Sequence, residues 1–166
     1  MVRTAEATRD GRRYEIVDGR LLITGPQPPA HHAAVLALMV LLKHASPPDL
    51  LVSVGSVAFR PTTHTTLRPD VLVCHRDASV IQPPLLAVEV LSPATRTTDV
   101  VLKRALYEQH GVPSYWLLDP TNQELTILEL TPTGYECQAV VQAEETAHAR
   151  NPFPVDLTPA KLSGVY

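Results

Sequence analysis

Apolar and polar positions along the chain predict short strands separated by two helices. Residues 14–17 and 20–23 alternate as strands do, and Asp18-Gly19 between them is a strong signal for a tight hairpin turn. After the proline-rich residues 26–29, apolar residues fill every position from 33 to 42 and predict a helix over about residues 30–45. Because this helix has apolar side chains on all its faces, we expect it to be buried or packed against another subunit.

The centre of the predicted sheet is residues 85–91, where six of the seven positions are apolar. A run of this kind is typical of a strand covered on both faces. Glu89 lies inside it, and a buried carboxylate costs several kcal/mol unless a partner or a metal neutralises it. Just upstream, Arg68-Pro69 forces an extended backbone into a second apolar strand, which begins with Asp70. Each of these two strands therefore brings one acid to the sheet.

The remaining segments complete an alternating order of elements. A third strand is predicted over residues 50–59, with Gly55 as a bulge or close approach, and a polar loop follows at 61–66. The later elements are a helix at 98–110 capped by Gly111, a strand at 115–120, a hairpin of 125–130 with 135–141, a polar stretch at 143–150 and an irregular tail at 151–157. The order β-β-α-β-β-β-α-β-β-β predicts an α/β fold, with a mixed sheet flanked by helices and an N-terminal β-hairpin.

Composition indicates a globular protein. The chain has 166 residues, 45% of them hydrophobic and 19% charged, which predicts a single domain with residues 1–10 and 143–166 at its periphery. The two cysteines, Cys74 and Cys137, are too few to staple a domain, and no signal-peptide or membrane-spanning run is present. We therefore expect a soluble cytoplasmic protein. The net charge of −3 weakens a nucleic-acid-binding interpretation without excluding it, because a basic groove can exist within an acidic total.

Asp70 and Glu89 are the first candidate site residues. If their strands are neighbours in the sheet, both carboxylates can meet at one place, and hard divalent ions such as Mg²⁺ prefer oxygen ligands. The alternative is structural: Asp70 caps a turn after proline, while Glu89 pairs with an arginine such as Arg68 or Arg104. Composition alone favours this alternative.

The helix that follows Glu89 shifts the weight from the structural interpretation towards the metal site. Asp99, Lys103 and Tyr107 are spaced i, i+4, i+8 and so lie on one helix face. Lys103 can then present its ammonium group to the metal site, where it orients a water molecule and balances the charge of a phosphate. The alternative is a surface ion pair between Asp99 and Lys103, worth a few tenths of a kcal/mol. A neighbouring apolar face (Leu102, Ala105 and Leu106) is expected to pack on the sheet.

Three further residues carry candidate polar groups. Glu15 alternates against its apolar neighbours in the first hairpin, and a solvent-exposed strand acid is an equally good interpretation of it. His31 and His32 lie in the first turn of the predicted helix, where they could contact a metal or a phosphate, although a structural role is the commoner one. Glu15 and His32 are supporting candidates.

A connected series of motifs runs from residue 69 to residue 120. Its members are Pro69-Asp70, Val88-Glu89-Val90-Leu91-Ser92-Pro93-Ala94-Thr95-Arg96, Asp99, Lys103, Tyr107, Gly111-Val112-Pro113 and Tyr115-Trp116-Leu117-Leu118-Asp119-Pro120. This series resembles the Uma family, a bacterial family of predicted endonucleases in the PD-(D/E)xK restriction-endonuclease-like superfamily. The N-terminal hairpin, the prolines after it and His31-His32 are similar to the same family, so the resemblance spans about residues 14–130.

The resemblance implies a nuclease core in which Asp70 and Glu89 bind Mg²⁺ or Mn²⁺, aided by the backbone carbonyl of Val90. It also implies in-line attack of water on a phosphodiester, leaving a 5′-phosphate. The lysine that the superfamily places two residues after the glutamate is Leu91 here. The Uma pattern instead places a lysine on the following helix, and Lys103 matches it.

Lesser roles follow from the same resemblance. Glu15 matches an acid of the family's first hairpin, so it is expected to add a ligand or hold a second metal ion. Tyr107 is expected either to hydrogen-bond the site or to pack. Asp99 and His32 are further supporting residues.

The expected function is metal-dependent cleavage of DNA by a homodimer. Two alternatives stay open: a catalytically silent nuclease fold that serves as a binding or assembly module, dimerised through residues 33–42, and a hydrolase of small phosphate esters. No separate recognition element is visible, so DNA specificity is assigned to residues 26–32 and 61–67 or to a second subunit. Glu89→Gln or Lys103→Ala is expected to leave the fold intact and remove cleavage.

Overall fold

The strands of this protein form one large mixed sheet and two smaller antiparallel sheets. The computed structural model describes residues 11–55 and 57–163, so residues 1–10, expected to be peripheral, lie outside the described residues. The elements in chain order are β1 (Arg13–Val17), β2 (Arg20–Thr24), α1 (Pro29–Ala45), β3 (Leu50–Val54), β4 (Phe59–Thr62), β5 (Thr65–Leu67), β6 (Val71–His75), β7 (Leu86–Val90), a π-helical turn (Thr98–Lys103) that continues into α2 (Arg104–Gln109), β8 (Ser114–Asp119), β9 (Glu124–Thr131), β10 (Gly134–Gln142), β11 (Ala147–Ala149), β12 (Val155–Leu157) and α3 (Pro159–Leu162).

The large sheet has six strands in the order β10-β9-β8-β7-β6-β3. All its neighbouring strands are antiparallel except β7 and β8, which run parallel and are connected through the π-helical turn and α2. Every residue of β7 and β8 is buried, as their near-continuous apolar sequence predicts for strands covered on both faces. The prediction of an α/β fold with a mixed sheet is confirmed.

The N-terminal hairpin is also confirmed, and it belongs to a second sheet of four strands in the order β2-β1-β5-β4. Asp18 and Gly19 both have positive φ, 48° and 78°, as a two-residue hairpin turn requires. The prediction of one strand over residues 50–59 and a polar loop at 61–66 is wrong. The strand ends at Val54, Gly55 turns the chain with a φ of 58°, and the threonine-rich segment pairs as β4 and β5.

Alternating side chains on the large sheet pack into two hydrophobic clusters. One cluster packs the sheet against α1 and α3, and it includes Val88 and Val90 of β7. The other contains Ala87 and Leu91 together with residues of α2 and of the four-stranded sheet. Because side chains alternate along a strand, Glu89 belongs to the second face, between β7 and α2.

Helix α1 is less completely buried than its sequence predicts. Its buried residues are His31, Ala34, Leu38 and Leu42, whereas Leu36 and Val40 are 55% and 62% exposed. One face therefore packs on the sheet, and the opposite face carries two apolar side chains in solvent. Within the described residues, no helix is both long enough and apolar enough to cross a membrane.

The turn that precedes α2 buries the polar face of the predicted helix. Asp99 and Lys103 are buried, whereas of the apolar face expected to pack on the sheet Leu106 is buried and Leu102 and Ala105 are exposed. The turn is π-helical: the amide of Arg104 donates to the carbonyl oxygen of Asp99, five residues earlier. Such turns are rare and occur often at functional sites. The polar face faces inward because its partners lie on β7 and β1.

The prediction of an irregular tail over residues 151–157 is wrong in part: residues 151–154 lie outside helices and strands, whereas 155–157 form β12. Strands β11 and β12 pair with each other, and α3 follows them. Phe153, Val155 and Leu162 are buried in the cluster beneath α1. Alternation within three-residue strands is too short to be read from sequence, but it is sufficient to bury Ala147 and Ala149.

Asp119 ends β8 and supports the turn after it. Its carboxylate accepts hydrogen bonds from the amides of Thr121 and Asn122, both at 3.0 Å, and it pairs with Arg96. Burial alone raises the pKa of Asp119, but the hydrogen bonds from Asn122 and the charge of Arg96 outweigh it and lower the pKa below its ordinary value. The ionised form is therefore the one that stabilises the fold.

Replacing Asp119 with alanine is expected to lower the free energy of unfolding at pH 7 by about 1–3 kcal/mol. Since the folded-state pKa is depressed, this stabilisation is present above the unfolded-state pKa of about 3.9 and is lost as the pH falls through the folded-state value. Urea titrations at pH 7, 5 and 3 measure the difference, with the exposed Asp77→Ala as control. A difference that stays constant down to pH 3 contradicts this assignment.

Candidate active site

Asp70 and Glu89 lie next to each other at one end of the large sheet. Asp70 precedes β6, and Val71 is paired with Val88 of β7 in the antiparallel register. The Oδ2 atom of Asp70 accepts a hydrogen bond of 2.7 Å from the amide of Val90. This bond fixes the Asp70 carboxylate beside the residue that follows Glu89. The expectation that the two acids come from neighbouring strands and meet is therefore matched by the geometry.

Lys103 is the last residue of the π-helical turn, and its side chain reaches Glu89 on β7. Its Nζ atom is 3.0 Å from Oε1 of Glu89, 3.0 Å from Oε2 of Glu15 and 3.4 Å from Oδ1 of Asp99. The lysine and the three acids are each at most 3% exposed. Asp99 and Lys103 thus form no surface pair; the ammonium group holds three buried carboxylates together.

Tyr107 and Glu15 complete the surroundings of this ammonium group. The hydroxyl of Tyr107 donates a hydrogen bond of 3.0 Å to Oε1 of Glu89. Glu15 lies on β1 and is buried, so the solvent-exposed interpretation of this acid is wrong. Its Oε1 accepts a hydrogen bond of 2.7 Å from the amide of Arg68. The hairpin, β7 and the π-helical turn therefore converge on one polar cluster.

Arg13 is the site residue that the sequence did not indicate. Its Nη2 atom contacts Oδ1 of Asp70, and its Nη1 atom lies 3.7 Å from Oε2 of Glu89. Its position at the start of β1, next to another arginine, looks like a polar lead-in to the first strand. Only pairing of the hairpin with β5 brings it to Asp70, so no local sequence feature could have identified it.

The two histidines differ in their environments. His31 is buried, and its Nε2 atom is 3.3 Å from Oδ2 of Asp70. His32, the histidine chosen as a supporting site residue, is exposed and contacts the ring of His31 edge-on. Residue 31 points inward because it shares the helix face of Ala34 and Leu38, three and seven residues later.

The pKa values of the two candidate metal ligands are shifted in opposite directions. Burial by itself raises the pKa of Asp70, but the hydrogen bond with His31 and the charge of Arg13 outweigh it and hold the pKa well below its usual range. Burial raises the pKa of Glu89 well above its usual range, and Lys103 reverses this only in part. Burial acts against the charge of Lys103, but the carboxylates of Glu89, Glu15 and Asp99 raise its pKa.

A physical reason for the high pKa of Glu89 is visible in its contacts. Both Lys103 and Tyr107 bind Oε1, whereas the buried Oε2 atom has no hydrogen-bond partner. Arg13 is too far from it, at 3.7 Å, for a hydrogen bond. A buried carboxylate oxygen without a donor disfavours the ionised form and leaves a position that a cation can fill.

The donor set fits a hard divalent cation. In the described part of the chain, no three or more His, Cys, Asp and Glu side chains are already arranged to hold a metal ion. Mg²⁺, however, needs only one or two carboxylates, because it keeps several waters and takes further oxygens from substrate phosphates. Asp70 and Glu89 supply those carboxylates.

Comparison with known proteins identifies the family and the fold of the chain. A crystal structure of a putative nuclease belonging to DUF820, from Anabaena variabilis ATCC 29413, is similar in fold, with a TM-score of 0.72 and 17% sequence identity over 90% of this chain and 89% of that one. No curated protein sequence matches the chain. The model of the Uma2 family, described as "putative restriction endonuclease", matches residues 3–163. The chain belongs to the Uma2 family and has its nuclease-type fold.

Proposed function

We propose that this protein is a divalent-metal-dependent endonuclease that hydrolyses phosphodiester bonds in DNA. The observation that carries the proposal is the buried pair of Asp70 and Glu89 with the ammonium group of Lys103 3.0 Å from the glutamate. The family's description and the name of its structural neighbour support a nuclease-type activity. Burying one lysine with three acids is costly, and a purely structural domain has no evident need for it.

Each residue of the cluster has a distinct role in this proposal. Asp70 and Glu89 hold Mg²⁺ or Mn²⁺, and the carbonyl of Val90 adds a third oxygen. When bound, the ion supplies Lewis-acid stabilisation of the phosphate and lowers the pKa of a water molecule. Lys103 positions the attacking water and stabilises negative charge as it develops on the phosphate.

Supporting residues orient these groups. Tyr107 donates to Oε1 of Glu89, which directs the opposite oxygen away from the helix. Asp99 and Glu15 share Lys103 and hold its ammonium group in place, each within 3.4 Å. Glu15 is the further candidate ligand for a metal ion, and its Oε2 atom is paired with Lys103 at 3.0 Å in this structure. Action as a homodimer in the cytoplasm stays a prediction.

The proposal is tested with supercoiled plasmid DNA. The wild-type protein is expected to nick or linearise the plasmid with Mg²⁺ or Mn²⁺, and excess EDTA is expected to abolish cleavage. Asp70→Asn is expected to be inactive with either metal, whereas the exposed Asp77→Asn is expected to cut as wild type does.

Other outcomes distinguish the alternatives. Hydrolysis of p-nitrophenyl phosphate esters without cleavage of any nucleic acid favours a hydrolase of small phosphate esters. If neither metal binding nor hydrolysis is detected, the chain is a catalytically silent nuclease fold. Cleavage that continues in EDTA contradicts the metal-dependent mechanism.

A further inference from the structure

We infer that Arg13 occupies the divalent-cation position of the free protein and competes with the metal ion for Asp70 and Glu89. This inference rests on the proposed metal site. It concerns a residue of the hairpin rather than of the metal-binding strands. Arg13 is thus a positioning residue that makes metal binding depend on its own displacement.

The contacts of Arg13 place its charge where the ion is expected. One nitrogen of its guanidinium group contacts Oδ1 of Asp70, and another lies 3.7 Å from Oε2 of Glu89. The group therefore faces both carboxylates on the oxygens that point away from the Val90 amide and from Lys103, with a hydrogen bond to Asp70 and a longer charge contact to Glu89. A guanidinium group keeps its charge at any physiological pH. A divalent ion between the same oxygens is repelled until Arg13 moves.

Arg13 is also the member of the cluster that can move. Its side chain is 23% exposed, compared with 3% or less for Asp70, Glu89 and Lys103. It lies at the first residue of β1, whereas Lys103 is enclosed by three acids. Its other contact is a hydrogen bond of 3.3 Å to the carbonyl of Arg68. Displacement of Arg13 would therefore open the two buried carboxylates to solvent and ions.

A displaced Arg13 has a ready partner in the proposed substrate. The planar guanidinium group binds phosphate oxygens in a bidentate manner. When a phosphodiester enters beside the metal, Arg13 can exchange its carboxylate contacts for phosphate contacts. Metal and substrate then favour each other's binding, and the free protein holds its metal weakly.

The test measures Mn²⁺ affinity directly, by electron paramagnetic resonance of the free ion, without substrate. Arg13→Gln is expected to bind Mn²⁺ at least about tenfold more tightly than wild type, about 1.4 kcal/mol. Arg96→Gln is the matched control, because Arg96 also pairs with an acid but lies outside the site. It is expected to bind as wild type does.

The outcomes separate this inference from the proposed function. If wild type binds Mn²⁺ and Arg13→Gln binds it equally or more weakly, Arg13 is a permanent structural partner and the inference is overturned. If neither protein binds Mn²⁺, the proposed metal site is wrong and the inference falls with it.

A second measurement covers the case in which Arg13→Gln does not fold. The arginine side-chain Nε–H resonances of the wild-type protein are followed by NMR during titration with Mg²⁺. The Arg13 resonance is expected to shift and the Arg96 resonance to stay unchanged. An unchanged Arg13 resonance at saturating Mg²⁺ overturns the inference.

Discussion

Glu89→Gln is expected to reduce DNA cleavage at least about 10³-fold, because loss of the metal removes several kcal/mol of transition-state stabilisation. The same change is expected to leave the free energy of unfolding in metal-free buffer equal to or above that of wild type. Glu89 is completely buried, its Oε2 atom has no hydrogen-bond partner, and burial holds its pKa well above the usual range. A neutral isostere relieves that cost. Plasmid cleavage and urea unfolding measure the two effects.

The control for Glu89 is Glu129→Gln on β9. Glu129 is also a partly buried acid of the large sheet, bound by Ser114 and Asn151. Its replacement is expected to leave cleavage unchanged. If Glu89→Gln cuts as fast as wild type, Glu89 is not a ligand and the site assignment is wrong.

Lys103→Met is expected to abolish cleavage and also to lower the free energy of unfolding at pH 7 by about 3–5 kcal/mol. The variant leaves Glu15, Glu89 and Asp99 buried together without the cation that lies within 3.4 Å of each. This revises the expectation from sequence that Lys103→Ala leaves the fold intact. That expectation placed Lys103 over the surface of the sheet. In the structure the ammonium group is buried and neutralises three buried carboxylates.

The pH dependence of the Lys103 effect identifies its cause. Burial raises the pKa of Glu89 and of Asp99, and Lys103 counteracts this in both, so without the ammonium group these acids take up protons more readily in the folded state as the pH falls. The difference in unfolding free energy between wild type and Lys103→Met is therefore expected to shrink from pH 8 to pH 5. Lys43→Met, on the exposed face of α1, is expected to change stability little. A small loss that is independent of pH contradicts the buried-charge account.

Those parts of the fold that depend on long local patterns were predictable from sequence. The Asp18-Gly19 turn, the length of α1 and the fully buried strand around Glu89 each have a strong periodic or turn signal. The meeting of Asp70 with Glu89 follows from adjacent antiparallel strands. The position of Lys103 on the same helix face as Asp99 and Tyr107 follows from helical spacing.

The features that sequence did not indicate depend on contacts between distant segments. Arg13 reaches Asp70 across 57 residues, and nothing beside it marks the contact. His31 rather than His32 faces the site because of how α1 rotates on the sheet. Lys103 was expected at the site, but the extent of its burial was not, because the usual amphipathic pattern keeps charges in water and apolar side chains inside; here Lys103 is 3% and Val101 63% exposed. Only the three acids around Lys103 reverse that preference.

The central claim is that Asp70 and Glu89 form a metal site, and calorimetric titration of Mn²⁺ tests it most directly. The wild-type protein and the Asp70→Asn/Glu89→Gln double variant are compared at pH 7, after circular dichroism establishes that both are folded. The account predicts saturable binding to wild type that is absent from the double variant. Equal binding to both proteins, or no binding to wild type, contradicts it.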